Sequence, residues 1–178
     1  MIDLKRTHVA ARRLEILMTL GIVVLLGFAG MFMVESAVSP MELAGTIAQW
    51  GDYEAALLSL AQSWALIGVV AAHLLLWFAL LVVARRLFRQ LRMGGIASAV
   101  RSARIVAYLL WALLIWGLAS QAIASVAATW GYPEGARVLS IAFGTPQISV
   151  AFSALIASFM AQAFVLGAEL WQDHQEVI

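Results

Sequence analysis

Four long apolar runs without a single charge constrain this chain most. They lie at about Ile16–Val34, Ala65–Ala84, Ile105–Ala128 and Ile148–Leu166, and none contains Asp, Glu, Lys or Arg. A helix needs about 20 residues to cross the hydrocarbon core of a bilayer, and each run is of that length. Hydrophobic residues make up 63% of the 178 and charged residues only 12%. Soluble domains carry about a quarter charged residues, so this chain has too little polar surface to face water. The predicted fold is all-α: one bundle of four transmembrane helices over residues 1–178.

The first run follows Lys5, Arg6, Arg12 and Arg13, as a secretory signal would. A signal's apolar region holds about 7–15 residues and ends in small residues at a cleavage site. This run is longer and ends "FMVESAVSP", so it reads as a retained helix. The absence of cysteine removes disulfides, thiolate metal sites and cysteine nucleophiles.

The charges are segregated. Ten of the eleven basic residues lie before the first run or between the second and third, and only Arg137 lies elsewhere. Loops rich in Lys and Arg stay cytoplasmic. The expected topology puts both chain ends and the central loop inside, and residues 35–64 and 129–147 outside.

The central loop "ARRLFRQLRMGGIASAVRSAR" has helical periodicity. At about 100° per residue, Arg85, Arg89 and Arg92 share one face and Leu87, Phe88 and Leu91 the opposite one. Gly94-Gly95 is a C-terminal stop, and a new helix starts near Ile96 with Arg101 and Arg104 on one side. The expectation is a helical hairpin in the cytoplasm with a basic face. It anchors on anionic lipid at the inner surface, at about 1 kcal/mol per basic residue, or docks a soluble partner. Nucleic-acid binding needs an aromatic-studded fold as well as charge, and none accompanies these arginines.

In the first outer loop, "SPMELAGTIAQW" carries Ser39, Pro40 and Glu42 in capping-box order. Met41, Leu43, Ala44, Ile47 and Ala48 follow as an apolar stripe, so a short amphipathic helix is expected at the outer surface. Asp52 is expected to cap a helical lead-in to the second span. In the other outer loop, "ARVLSIAF" is a short strand or a shallow interfacial segment.

Polar groups in hydrocarbon are costly and often functional. His73 is the only ionisable residue well inside a run, and Gln121 and Gln162 are the only amides there. Counted from the run boundaries, His73 lies about 12 Å and Gln121 about 10 Å below the outer surface. Ser153 stands at a similar level, so His73, Gln121 and Ser153 form the candidate intramembrane polar cluster. His73 is expected to be neutral and hydrogen-bonded to Gln121. A haem would want a second histidine, and His8 and His174 lie near the chain ends. Gly27 with Gly30, and Gly68 with Ala72, have the spacing that lets helices approach closely. Nothing resembles a phosphate loop, a metalloprotease helix or a catalytic triad. The chain is therefore not read as an enzyme, and no cofactor or metal is expected.

The central loop "RRLFRQLRMGGIASAVRSARIVAYLLW" and the ending "GAELWQDHQEVI", with Glu169, Asp173 and Glu176 making an acidic tail, resemble the domain-of-unknown-function 2975 family. These are small bacterial four-helix inner-membrane proteins. The chain departs from the family in its Met93-Gly94-Gly95-Ile96 linker and in "AQAFVLGAEL", where members carry a charged pair before the glycine. The resemblance implies fold and a bacterial inner-membrane location, without an activity. Members are often encoded beside a small helix-turn-helix regulator, which implies signalling or sequestration. The expected function is an interaction or regulatory module binding a cytoplasmic or membrane partner, either another protein or a second copy of the chain. An accessory subunit of a larger membrane complex is the first alternative, and a small oligomeric transporter or channel the second.

Overall fold

A computed structural model of the chain describes residues 4–53 and 58–176; the side chains of residues 4–8, 96 and 169–176 are outside the described set. The elements are α1 (Leu4–Val38), α2 (Pro40–Gln49), α3 (Leu60–Arg92), α4 (Ile96–Thr129) and α5 (Thr145–Glu176), with no strand among the described residues. Helices α1, α3, α4 and α5 are long and apolar enough to cross a membrane, so the protein is a multi-pass helical bundle. Each overruns its apolar run because a helix satisfies its own backbone wherever it goes. In this way α3 continues from Ala84 to Arg92 and takes Arg85, Arg86, Arg89 and Arg92 with it.

Helices α3 and α4 form the central antiparallel pair, with α1 packed on α3 and α5 on α4. Large apolar side chains such as Leu20, Val24, Leu75, Ile115 and Phe159 stay exposed, as lipid-facing surfaces require. Alanines make the close contacts: Ala99, Ala103, Ala107, Ala154 and Ala161 are buried. The glycines expected in that role do not make such contacts. A Cβ added at Gly27, Gly30 or Gly68 would meet no atom within 4 Å.

At the end where α3 begins, α2 is a core element. Leu43, Ala44, Ile47 and Ala48 bury against Phe32 of α1 and Leu66 and Ile67 of α3. Pro40 opens α2 as expected of a first-turn proline, but the Ser39–Glu42 capping box does not form. The Ser39 N–H already donates to Glu35 O at 2.9 Å, closing the last turn of α1, so Glu42 has no free donor to accept from. The lead-in that Asp52 was expected to cap falls on residues 54–57, outside the described residues. Asp52 occupies a turn at φ 60°, a left-handed conformation that Asp tolerates. The box forms at α3: Ser59 N donates to Gln62 Oε1 at 2.6 Å, and Gln62 N to Ser59 Oγ at 3.4 Å. Gln62 Nε2 also donates to Ala127 O at 2.8 Å, satisfying one of the carbonyls that the end of α4 leaves open.

At the other end α3 stops at Gly94, whose φ of 74° suits glycine. Gly95 N donates to Gln90 O at 3.0 Å, and α4 begins one residue later.

The connection from α4 to α5 holds no strand; it runs back beside α4 with Val138, Leu139, Ile141 and Phe143 exposed. Val138 N donates to Thr129 Oγ1 at 3.1 Å, Ser140 N to Ser125 Oγ at 3.0 Å, and Ala142 N to Gln121 Oε1 at 2.7 Å. Four helical residues rise about 6 Å and two extended residues about 6.6 Å. Acceptors every four residues on α4 therefore match alternate N–H groups of a chain running back along it. The segment descends about 12 Å beside α4. Three of its backbone N–H groups thereby find acceptors on α4, and non-helical backbone at membrane depth needs such partners.

Candidate functional site

The three intramembrane polar residues do not form a cluster. His73 Nε2 accepts from Trp77 Nε1 at 3.0 Å, one turn along α3. Gln121 is taken by the N–H of Ala142. Ser153, exposed on α5, donates to Ser149 O at 2.8 Å. No hydrogen bond joins any two of them. The expected His73–Gln121 pair fails for a physical reason. The Ala142 N–H takes the Gln121 oxygen, whereas His73 bonds an indole one turn away on its own face. Their spacing of four was visible in the sequence. His73 and Trp77 line a small cavity of about 130 Å³ with Leu113, Gly117 and Gln147. Among the described residues no group of three His, Asp or Glu could hold a metal ion.

Trp77→Phe removes the only hydrogen bond of His73 among the described residues. Side-chain hydrogen bonds in membrane proteins average about 0.6 kcal/mol. The variant should therefore fold and lose about that much stability, measured by denaturation in mixed micelles; a loss several times larger would show that the pair organises the bundle.

The hairpin is where charge gathers. Leu87, Ala99, Ala103 and Ala161 bury together, with Leu91 and Phe164 against them. This core binds the hairpin to α5 and fixes which residues point out. Arg85, Arg86, Arg89, Arg101 and Arg104 are exposed, on the sides away from Leu87 and Ala103. Arg92 departs from the expected basic face: its Nη1 pairs with Glu15 Oε2 of α1 at 3.1 Å. Glu15, one residue before the first apolar run, was passed over in the sequence. The two ends of α1 and α3 that carry it and Arg92 run antiparallel and meet.

Two arginine-lined grooves flank α3. One, of about 420 Å³, is lined by Ile22 of α1 and by Arg85, Arg86 and Arg89. The other, of about 320 Å³, lies between α3 and α4. Its lining is Val83, Arg86, Gln90, Ala97, Ser98, Arg101, Ser102 and Ile105. Gln90 ties the two helices together there. With its amide nitrogen toward α4 it donates to Ser102 Oγ at 2.7 Å and to Ser98 O at 2.9 Å, and its oxygen accepts from Arg86 Nε at 3.3 Å. Arg86, Gln90, Ser98 and Ser102 were not singled out from the sequence. Their signal is faint, because Gln90 and Ser102 are twelve residues apart and meet only once the hairpin closes.

The acidic tail of Glu169, Asp173 and Glu176 lies outside the described side chains, although α5 runs to Glu176. Comparison with known protein families, with curated proteins and with solved structures returned no match.

Proposed function

We propose that this protein is a membrane-embedded interaction module. Its hairpin and both chain ends face the cytoplasm, and the hairpin docks the acidic surface of a partner protein. The supporting observation is that Arg85, Arg89, Arg101 and Arg104 are exposed and without an ion pair among the described residues, on a hairpin held rigid by its own buried core. Membership of the domain-of-unknown-function 2975 family and a bacterial inner-membrane location belong to the same proposal and rest on the resemblance of the hairpin and tail. An accessory subunit would use the exposed apolar face of α1 instead. A small oligomeric transporter would line its path with His73, Gln121 and Ser153, each of which bonds a different partner.

Orientation is the first test. Reporters placed near Gly94 or after Ile178 should read cytoplasmic, and reporters near Gly51 or Gly135 external, because loop arginines resist translocation. An external signal at Gly94 would reverse the map. Docking is the second. A partner recovered with the intact protein in mild detergent should be lost from R85Q/R89Q/R104Q at unchanged reporter topology. If this triple variant keeps it, the basic face is not the docking surface.

A further inference from the structure

We propose that the cleft between α3 and α4 is a binding site for the phosphate group of an anionic phospholipid. Its lining is graded along the membrane normal. Val83 precedes Arg86 by almost one turn of α3, and Ile105 follows Arg101 by about one turn of α4. The apolar pair therefore lies toward the hydrocarbon, and Arg86, Gln90, Ser98 and Arg101 toward the hairpin tip. Acyl chain, then phosphate, is the order in which a phospholipid presents itself to such a wall. Basic pockets between helices at the cytoplasmic face are where anionic headgroups bind.

The arginines are arranged for this. Gln90 occupies Arg86 Nε and leaves its terminal nitrogens to form paired hydrogen bonds with phosphate oxygens. Gln90 is itself fixed by Ser102 and by the Ser98 carbonyl, so it acts as a positioning residue for Arg86. Arg101 makes no hydrogen bond or ion pair among the described residues and lines the same cleft. Among the described residues no carboxylate lines it, and Glu15 is engaged elsewhere with Arg92. A volume of about 320 Å³ lies in the range of small-molecule sites. The cleft shares Arg101 with the docking face, but Arg86, Gln90 and Ser102 lie outside that face, lipid retention needs no partner protein, and the docking test leaves Arg86 and Arg101 unchanged. Failure of one proposal leaves the other standing.

The test is native mass spectrometry of the full chain released from nanodiscs containing phosphatidylglycerol and phosphatidylcholine. The wild type should retain phosphatidylglycerol. R86Q/R101Q should retain it about tenfold less, the effect of 1.4 kcal/mol. R101Q alone should show part of that loss, and it leaves the Gln90 network intact. R85Q/R104Q removes the same charge outside the cleft and should retain the lipid as the wild type does. Q90L changes no charge and should still weaken retention, because it releases Arg86. Equal loss in R85Q/R104Q and R86Q/R101Q would overturn the site in favour of diffuse attraction. Inorganic phosphate displacing the lipid at constant ionic strength would overturn the lipid as the source of the phosphate.

Discussion

Replacing Gln121, Ser125 and Thr129 together by Leu, Ala and Val should release the 138–142 segment from α4 and bring it up to the water interface. Each substitution removes the acceptor of one backbone N–H. An N–H left unpaired away from water costs about 1–3 kcal/mol, and the triple variant creates three. The segment can recover that energy only by moving to water. The chain contains no cysteine, so A142C supplies a unique thiol in either background. In the wild-type background it should react slowly with a membrane-impermeant maleimide; in the triple variant it should react as fast as a thiol introduced at Glu134. The single variants should be graded by depth. Q121L should have the largest effect, because Gln121 is farthest from the end of α4. T129V should have the smallest, because Val138 needs to move least to find water. Equal labelling of A142C in wild-type and triple backgrounds would show that these bonds do not hold the segment at depth.

That ladder marks the boundary of what the sequence discloses. The four spans were legible because uncharged runs of that length have few other uses. The hairpin stop at Gly94 was legible because a left-handed residue at a helix end favours glycine. The outward Arg85 and Arg89 were legible because Leu87, Phe88 and Leu91 mark the opposite side of α3, where Leu87 is buried. The role of Gln121 was not. Depth and residue type pointed to His73, and both fit, but neither says which group has nowhere else to bond. That depends on how the 138–142 segment returns, which is a tertiary fact. One clue was available: Gln121, Ser125 and Thr129 recur every four residues on α4, and Val138, Ser140 and Ala142 every two in a non-helical stretch. The capping box at Ser39 failed in the same way. The residue types were right, but the preceding helix ran far enough to use the N–H that Glu42 required. The cleft was hidden more deeply, since Gln90 and Ser102 acquire meaning only across the closed hairpin.

Leu66→Ala should cost about 2–5 kcal/mol, the usual range for a fully buried leucine, whereas Leu75→Ala on the same helix should cost almost nothing. Leu66 is 1% exposed and Leu75 68%. In water both losses would contain a transfer term. In a bilayer, lipid tails are as apolar as leucine, so a side chain facing lipid gains little by its size, and lipid fills the space when it shrinks. Leu66 is enclosed by Phe32, Leu43, Ala44, Ile47 and Ile67, and lipid cannot enter there. Truncation leaves a cavity between α2 and α3, and the lost contacts have no replacement. Because α2 is seated on this cluster, its release should precede global unfolding. A44C, at a position with 0% exposure, should be protected from maleimide in the wild-type background and become reactive in the Leu66→Ala background at denaturant levels that leave the four long helices intact. Similar costs for Leu66→Ala and Leu75→Ala would mean that lipid reaches both sites, and that α2 rests on the membrane surface and not in the core of the bundle.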